Sequence, residues 1–248
     1  MSYIKIKDIS KSYNSKKIID NLNLSIEKGK FVSFVGAYGT GKTTLLKLLA
    51  GIEKIDKGTI FIDGCSPEVL KEKRKIGFAF QHPMLLPWRN VLDNILLPSE
   101  FNNEDKTKEA EKLLELVELK HKKDVYPSEL SGGMQRIVSI LRAIILNPSI
   151  LLLDEPLSAI DEINRDELHE KLIEIHNKNK QTTILVTHSI HEAVYLSDEV
   201  YIMGGSPPKI IKKILPKNPR VKSEKFNLET MRDVSTIKEE LRGVIKNA

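Results

Sequence analysis

Phe31-Val-Ser-Phe-Val35 runs directly into Gly36-Ala-Tyr-Gly-Thr-Gly-Lys42-Thr43, and the reading of this junction decides the fold. The run before the junction is largely apolar, as expected of a strand covered on both faces. The stretch after it fits G-x-x-x-x-G-K-[ST], a loop that cradles phosphate. Glycine reaches positive φ without strain, so backbone N–H groups can turn toward one anion. Thr43 to Ala50 reads as a helix whose positive N-terminal end adds to that pull. Lys42 can reach β- and γ-phosphates, and the Thr43 hydroxyl can ligate Mg²⁺. An ordinary glycine turn is the plainer reading, but the strand before the loop and the helix after it favour the phosphate loop.

Two more apolar runs end in residues of chemical interest. In open parallel sheets ligands bind outside the carboxyl ends of the strands, so these ends are read together. Ile150-Leu-Leu-Leu153 is followed by Asp154-Glu155-Pro156. Two carboxylates at the end of a buried strand are costly without partners. Asp154 is placed to hold the water shell of Mg²⁺, and Glu155 to take a proton from an attacking water. Acidic residues also follow strands simply as helix caps. Thr183-Ile-Leu-Val-Thr187 is followed by His188, whose imidazole can donate a hydrogen bond to a γ-phosphate. A lone histidine there is more often structural. His82, His121, His169, His176 and His191 show no metal-ligand spacing and read as surface or packing residues.

Around these strands the pattern alternates between two periods. Ile4 to Ile9 and Leu22 to Ile26 alternate like strands, and Thr59 to Ile62 leads into an Asp63-Gly64 turn. Ala110, Leu113, Leu114 and Val117 share one face of a helix expected from about Glu104 to Leu119. Another helix is expected from Ser131 to about Leu146, with Pro148 ending it. Leu168, Leu172 and Ile175 mark a third, and Val234, Ile237, Leu241, Val244 and Ile245 a fourth. Strands alternating with helices define an α/β domain with a parallel sheet.

Composition narrows the function. The chain has 248 residues, 40% hydrophobic and 29% charged, enough for a substantial core and too apolar for wholesale disorder. The single cysteine, Cys65, excludes an internal disulfide framework and fits a reducing compartment. No run approaches the ~18 apolar residues of a membrane span. Met1 to Lys7 alternates like a strand and lacks the apolar stretch of a signal peptide. These features point to a soluble cytosolic chain. The net charge of +5 is mild at this length and reads as a lysine-rich solvated surface, so no nucleic-acid partner is expected.

Leu130-Ser-Gly-Gly-Met-Gln135 adds a helix capped by Ser131, with Gly132 and Gly133 exposing backbone N–H groups to an anion. This string, lying between a phosphate loop and an Asp-Glu strand, resembles the signature of the ATP-binding-cassette (ABC) ATPases. The resemblance covers essentially the whole chain. It implies a P-loop NTPase fold of the α/β class: a RecA-like core with a mainly parallel sheet, an antiparallel β subdomain, an inserted helical subdomain at about 84–148, and a helical tail at about 224–248. It further implies that Tyr13 stacks on adenine, that Gln81 ligates Mg²⁺ and links to a membrane partner, that Ser158-Ala-Ile-Asp161 is the D-loop, and that His188 is the switch histidine. ATP held by Gly36, Ala37, Tyr38, Gly39, Thr40, Gly41, Lys42, Thr43 and Thr44 of one cassette would be capped by Ser131, Gly132 and Gly133 of a second copy. Thr43, Gln81 and Asp154 would hold the Mg²⁺, with Glu155 as general base.

Met84 to Ile95 and Ile214 to Arg220 look like the importer cassettes for nitrate, taurine and alkanesulfonates. The implied setting is peripheral, on the inner face of the cell membrane, with a separate permease and, indirectly, a solute-binding protein. Several positions depart from the family pattern: Ala37 and Tyr38 in the loop, Ile137 where an arginine usually follows the signature with Arg136 one place early, and Ser189 after the switch histidine. Three other readings stand beside the importer: a non-transport cassette ATPase acting on ribosomes or DNA, a small-molecule phosphotransferase, and a non-hydrolysing regulatory module. A phosphotransferase gives no reason for the Ser131 signature, and intact Lys42, Asp154, Glu155 and His188 argue against a degenerate module.

Overall fold

The computed structural model describes residues 2–157, 162–217, 219–220 and 228–246. The chain divides into two compact units, Met1–Lys73 with Gln181–Ala248, and Arg74–Lys180. In chain order the first unit opens with β1 (Ser2–Tyr13), β2 (Lys16–Glu27), β3 (Phe31–Val35), α1 (Lys42–Leu49), β4 (Lys57–Ile62) and α2 (Pro67–Glu72). The second unit holds β5 (Ile76–Ala79), α3 (Val91–Glu100), α4 (Thr107–Leu116), α5 (Gly132–Ile144), β6 (Ile150–Asp154) and α6 (Glu162–Asn179). The first unit then resumes with β7 (Thr182–Thr187), α7 (Ile190–Leu196), β8 (Glu199–Gly204), β9 (Lys209–Ile214) and α8 (Leu228–Lys246).

In the first unit β1 lies between β2 and β4, antiparallel to both. Asn14 and Ser15, both at positive φ, make the tight turn that matches the twist of the β1–β2 hairpin. A second, mixed sheet has β3 flanked by β7 and β8 in parallel, with β9 antiparallel on β8. Every residue of β3, β7 and β8 is buried, which explains their lack of polar alternation. Val35, Val200, Ile202, Val194, Val234 and Ile237 form the core beneath α7 and α8. Each such side chain contributes roughly 1.5–3 kcal/mol relative to exposure. The lysines of β9 (Lys209, Lys212, Lys213) mark an outer strand, where charge discourages pairing with another chain.

In the second unit β5 and β6 pair in parallel, and α5 packs on β5 and α3. The helix expected from about Glu104 to Leu119 is α4, shorter at both ends: it begins at Thr107, whose N–H donates to Asp105 Oδ1 at 2.9 Å, and ends at Leu116, with Val117 at its C-cap. Asn90 caps α3 by accepting from the Asp93 N–H at 2.8 Å. No helix among the described residues is long and apolar enough to cross a membrane.

Candidate nucleotide site

The chemistry-bearing residues fall into two groups, one in each unit. In the first unit the β3–β7 register places Val35 opposite Thr187, so the loop at Gly36 and the residue His188 leave the sheet side by side. Gly36 is required by space. A Cβ there would stand 2.3 Å from the Met203 carbonyl oxygen and 2.9 Å from Thr40 Oγ1. Gly41 is required by conformation: it caps α1 at φ 78°, in the left-handed region. Ala37, Tyr38 and Gly39 form the exposed crest of the loop, whereas Thr40 and Lys42 are buried. Thr40 Oγ1 donates to the Ala37 carbonyl at 2.9 Å.

Lys42, only 6% exposed, folds its ammonium into the loop. Nζ donates to the carbonyls of Gly36 at 2.8 Å and Ala37 at 2.9 Å. A buried lysine needs such partners, and here they aim its charge at the concavity of the loop. Thr43 is exposed at the start of α1, and Thr44 is half-buried beside it. Tyr13 stands at the end of β1, where its phenol feels the nearby Glu53 carboxylate and the Thr44 hydroxyl. Burial, followed by the Glu53 carboxylate, raises the phenol above its ordinary pKa. Lys11 Nζ lies 5.2 Å from the Tyr13 ring and donates to the Lys54 carbonyl at 2.7 Å, fastening the segment after α1 to β1.

His188 is exposed and stacks with Tyr38, ring centroids 6.0 Å apart and planes inclined at 28°. Ser189, one of the departures from the family pattern, caps α7 by accepting from the Glu192 N–H at 3.3 Å. Its own N–H donates to Thr187 Oγ1 at 3.0 Å, so the turn carrying His188 is fixed on both sides.

The second unit holds the carboxylates. Because Ala79 pairs with Leu153, Gln81 and Glu155 leave β5 and β6 at matching positions. Gln81 Nε2 donates to Glu155 Oε2 at 3.2 Å. Asp154 and Glu155 are both buried, at 5% and 8% exposure. Glu155 sits at φ 45°, an uncommon conformation for a residue with a side chain. Arg136 Nη1 donates to the carbonyls of Glu155 at 3.2 Å and Pro156 at 3.0 Å. Ile137, where the family usually has arginine, is buried in the core instead.

Ser131 caps α5, its Oγ accepting from the Met134 N–H at 3.3 Å. Ser131 and Gly132 are exposed, and a Cβ on Gly132 would meet nothing within 4 Å, so this helix end has room for an incoming group. Gly133 follows it in the first turn of α5. The expected D-loop, Ser158 to Asp161, lies outside the described residues.

A loop also presents apolar side chains to solvent in this unit: Phe80, Met84 and Trp88 are 41%, 65% and 69% exposed. Asn94, fully buried on α3, accepts from the Leu86 N–H and donates to the carbonyls of Leu86, Arg89 and Asn90. Arg142 on α5 donates to the carbonyls of Met84 and Pro83, both at 2.8 Å.

A loop folded around a lysine on a β3–α1 junction, with an Asp-Glu pair ending a buried strand and a serine-capped glycine helix, defines a nucleoside-triphosphatase of the cassette type. The chain belongs to the ABC transporter family: the family profile of that description matches residues 19–158, more than half of its length. It is 38% identical over 235 residues to an aliphatic sulfonates import ATP-binding protein, SsuB, of Bacillus cereus, covering 93% of this chain and 92% of that one. It is 39% identical over 213 residues to the SsuB of Bacillus subtilis (strain 168), covering 86% and 82%. Among solved structures, the dimeric post-hydrolysis state of the cassette MJ0796 bound to ADP and Pi superposes with a TM-score of 0.77 at 30% identity, covering 87% of this chain and 99% of that one. A nucleotide-free cassette from an ABC transporter gives 0.78 at 25% identity, covering 95% and 96%.

Proposed function

We propose that this chain is the ATP-hydrolysing subunit of an importer for a small solute of the sulfonate, taurine or nitrate type, working as a head-to-tail pair on a separate permease at the inner membrane face. The observation that carries the hydrolytic reading is Glu155, a buried carboxylate at a strand end with Gln81 donating to it at 3.2 Å. In this reading Lys42 and the backbone N–H groups of the loop bind the β- and γ-phosphates, and Tyr13 stacks on the base. Glu155 takes a proton from the attacking water, and His188 donates to the γ-phosphate as charge builds on it. Ser131, Gly132 and Gly133 of the second copy cap the nucleotide with a helix N-terminus.

Thr43, Gln81 and Asp154 would hold Mg²⁺. They supply a hydroxyl, a carboxamide and a carboxylate, the oxygen donors that a hard cation prefers. Among the described residues no group of three or more His, Cys, Asp or Glu side chains could hold a metal alone. That suits an ion bound partly through substrate phosphates. When bound, Mg²⁺ neutralises charge on the β- and γ-oxygens.

The exposed Phe80, Met84 and Trp88, on a loop held from within by Asn94 and Arg142, suit a docking surface for the permease. The identities of the sulfonate-import relatives support the solute class.

Glu155→Gln tests the reading. The variant should bind ATP and accumulate as a stalled dimer on size-exclusion chromatography, with turnover lost. Turnover at the wild-type rate would remove Glu155 from the role of general base. Purification of the tagged chain from membranes should bring down a permease, and recovery with ribosomes or DNA instead would overturn the importer assignment.

A further inference from the structure

Glu155 presents a physical problem that its own side chain does not solve. Strand β6 ends at Asp154, and the chain then turns through Glu155 at φ 45°. An L-residue in this region costs on the order of 1–3 kcal/mol and persists only where its surroundings over-determine it. The carbonyls of Glu155 and Pro156 lie beyond the strand, so the bonds that fix them must come from elsewhere. Arg136 supplies them, donating through Nη1 to both oxygens at 3.2 and 3.0 Å. A guanidinium suits this task because it is always charged, planar and rigid, and its hydrogen bonds are stronger than neutral ones. From β5, Gln81 donates to the carboxylate of the same residue at 3.2 Å. Backbone and side chain of Glu155 are thus held by two different elements, α5 and the segment after β5.

We propose that Arg136 is a positioning residue for the hydrolytic step: by holding the turn at Glu155 and Pro156 it sets where the Glu155 carboxylate lies. Arg136 acts through the backbone and exchanges no proton. The proposal rests on the reading of Glu155 as general base. It also gives the sequence departure a meaning, since the arginine usually found one place later would leave from a different side of α5, where Ile137 is buried.

The test uses the full chain with Arg136→Met, Arg136→Lys, Glu155→Gln and the double variant Arg136→Met/Glu155→Gln. Steady-state ATPase gives kcat and KM, and a fluorescent ATP analogue reports binding. Arg136→Met should lower kcat about 10- to 100-fold, the scale of a misplaced catalytic group, with KM and analogue affinity within about twofold. Arg136→Lys should recover part of the loss, because an ammonium can still donate to one of the carbonyls. In single-turnover hydrolysis on the Glu155→Gln background, adding Arg136→Met should lower the residual rate no further. Wild-type kcat in Arg136→Met overturns the proposal, as does an equal further loss on the Glu155→Gln background. If Arg136→Met does not fold, Arg136→Lys carries the test, and an unchanged kcat there overturns the proposal too. Full turnover in Glu155→Gln alone is a separate result: it removes the general base, and the positioning role falls with it.

Discussion

Asn94→Leu is the perturbation whose size can be worked most directly from the structure. Asn94 is fully buried and makes four side-chain hydrogen bonds to the loop between Leu86 and Asn90. Leucine has the same number and branching of side-chain heavy atoms, with bulkier ends, and offers no donor or acceptor. Not every lost bond leaves an orphan. The Leu86 carbonyl also accepts from the Arg89 N–H at 3.1 Å, and the Asn90 carbonyl from the Asn94 N–H at 3.0 Å. The Leu86 N–H and the Arg89 carbonyl are the groups that lose the most. At about 1 kcal/mol net per bond, partly offset by burial of an apolar side chain, the change should cost roughly 2–3 kcal/mol. For a chain of this size that corresponds to a fall in Tm of about 5–10 °C. Trp88, the one tryptophan in the sequence, stands on this loop and reports on it directly. Its fluorescence anisotropy should fall in Asn94→Leu as the loop loosens, and the urea midpoint should drop with little change in slope. A destabilisation below about 0.5 kcal/mol, with Trp88 anisotropy unchanged, would show that the four bonds do not hold the loop.

Two further outcomes follow from the phosphate loop. Lys42→Ala should keep the fold but lose roughly 3–4 kcal/mol of ATP affinity, the worth of about two charge-assisted bonds, measured by titration of a fluorescent analogue. Unchanged binding would contradict the phosphate-loop role. Tyr38→Ala should abolish the ring-current shift on the His188 imidazole protons seen by NMR, whereas Tyr38→Phe should keep it. An identical His188 spectrum in Tyr38→Ala would refute the stack, a contact worth about 0.5–1.5 kcal/mol.

The parts legible in the sequence are those whose signal is local. The phosphate loop announces itself through glycine spacing, β6 through the apolar run Ile150 to Leu153, β7 through Ile184-Leu-Val186 flanked by β-branched threonines, and α5 through its Ser131 cap. Short elements are harder to read. Strand β5 is only Ile76 to Ala79, with a glycine inside it, and leaves no period to detect. Helix α3 contains Pro98, which argues against a helix on sequence grounds, yet falls in the last turns before Glu100. The β8–β9 hairpin carries buried residues on one strand and lysines on the other, so neither alternates cleanly.

At the site, identity is easier to read than arrangement. Ser189 looks like a departure and proves to be a helix cap, a role its hydroxyl fills well. Arg136 is visible only as an arginine out of place. Its meaning depends on contacts with residues 19 and 20 positions away in the chain, which no local pattern encodes. Glu53 and Asn94 carry no sequence signal at all, because each matters through a fold-dependent neighbour.

Helix α5 has a consequence beyond the chain that contains it. Its first residues, after Ser131, face outward, while Arg136, about one turn further on, grips the backbone of Glu155. In the head-to-tail pair proposed above, the outward end serves the nucleotide of the second copy, and the inward grip serves the chain's own. Such a helix is a physical route by which the two centres could be coupled, and any coupling of binding would be reciprocal: whatever occupancy of one does to the other must be returned in equal measure. In that pair the distance between the end that meets one nucleotide and the grip that holds the other's general base would be about a single helical turn.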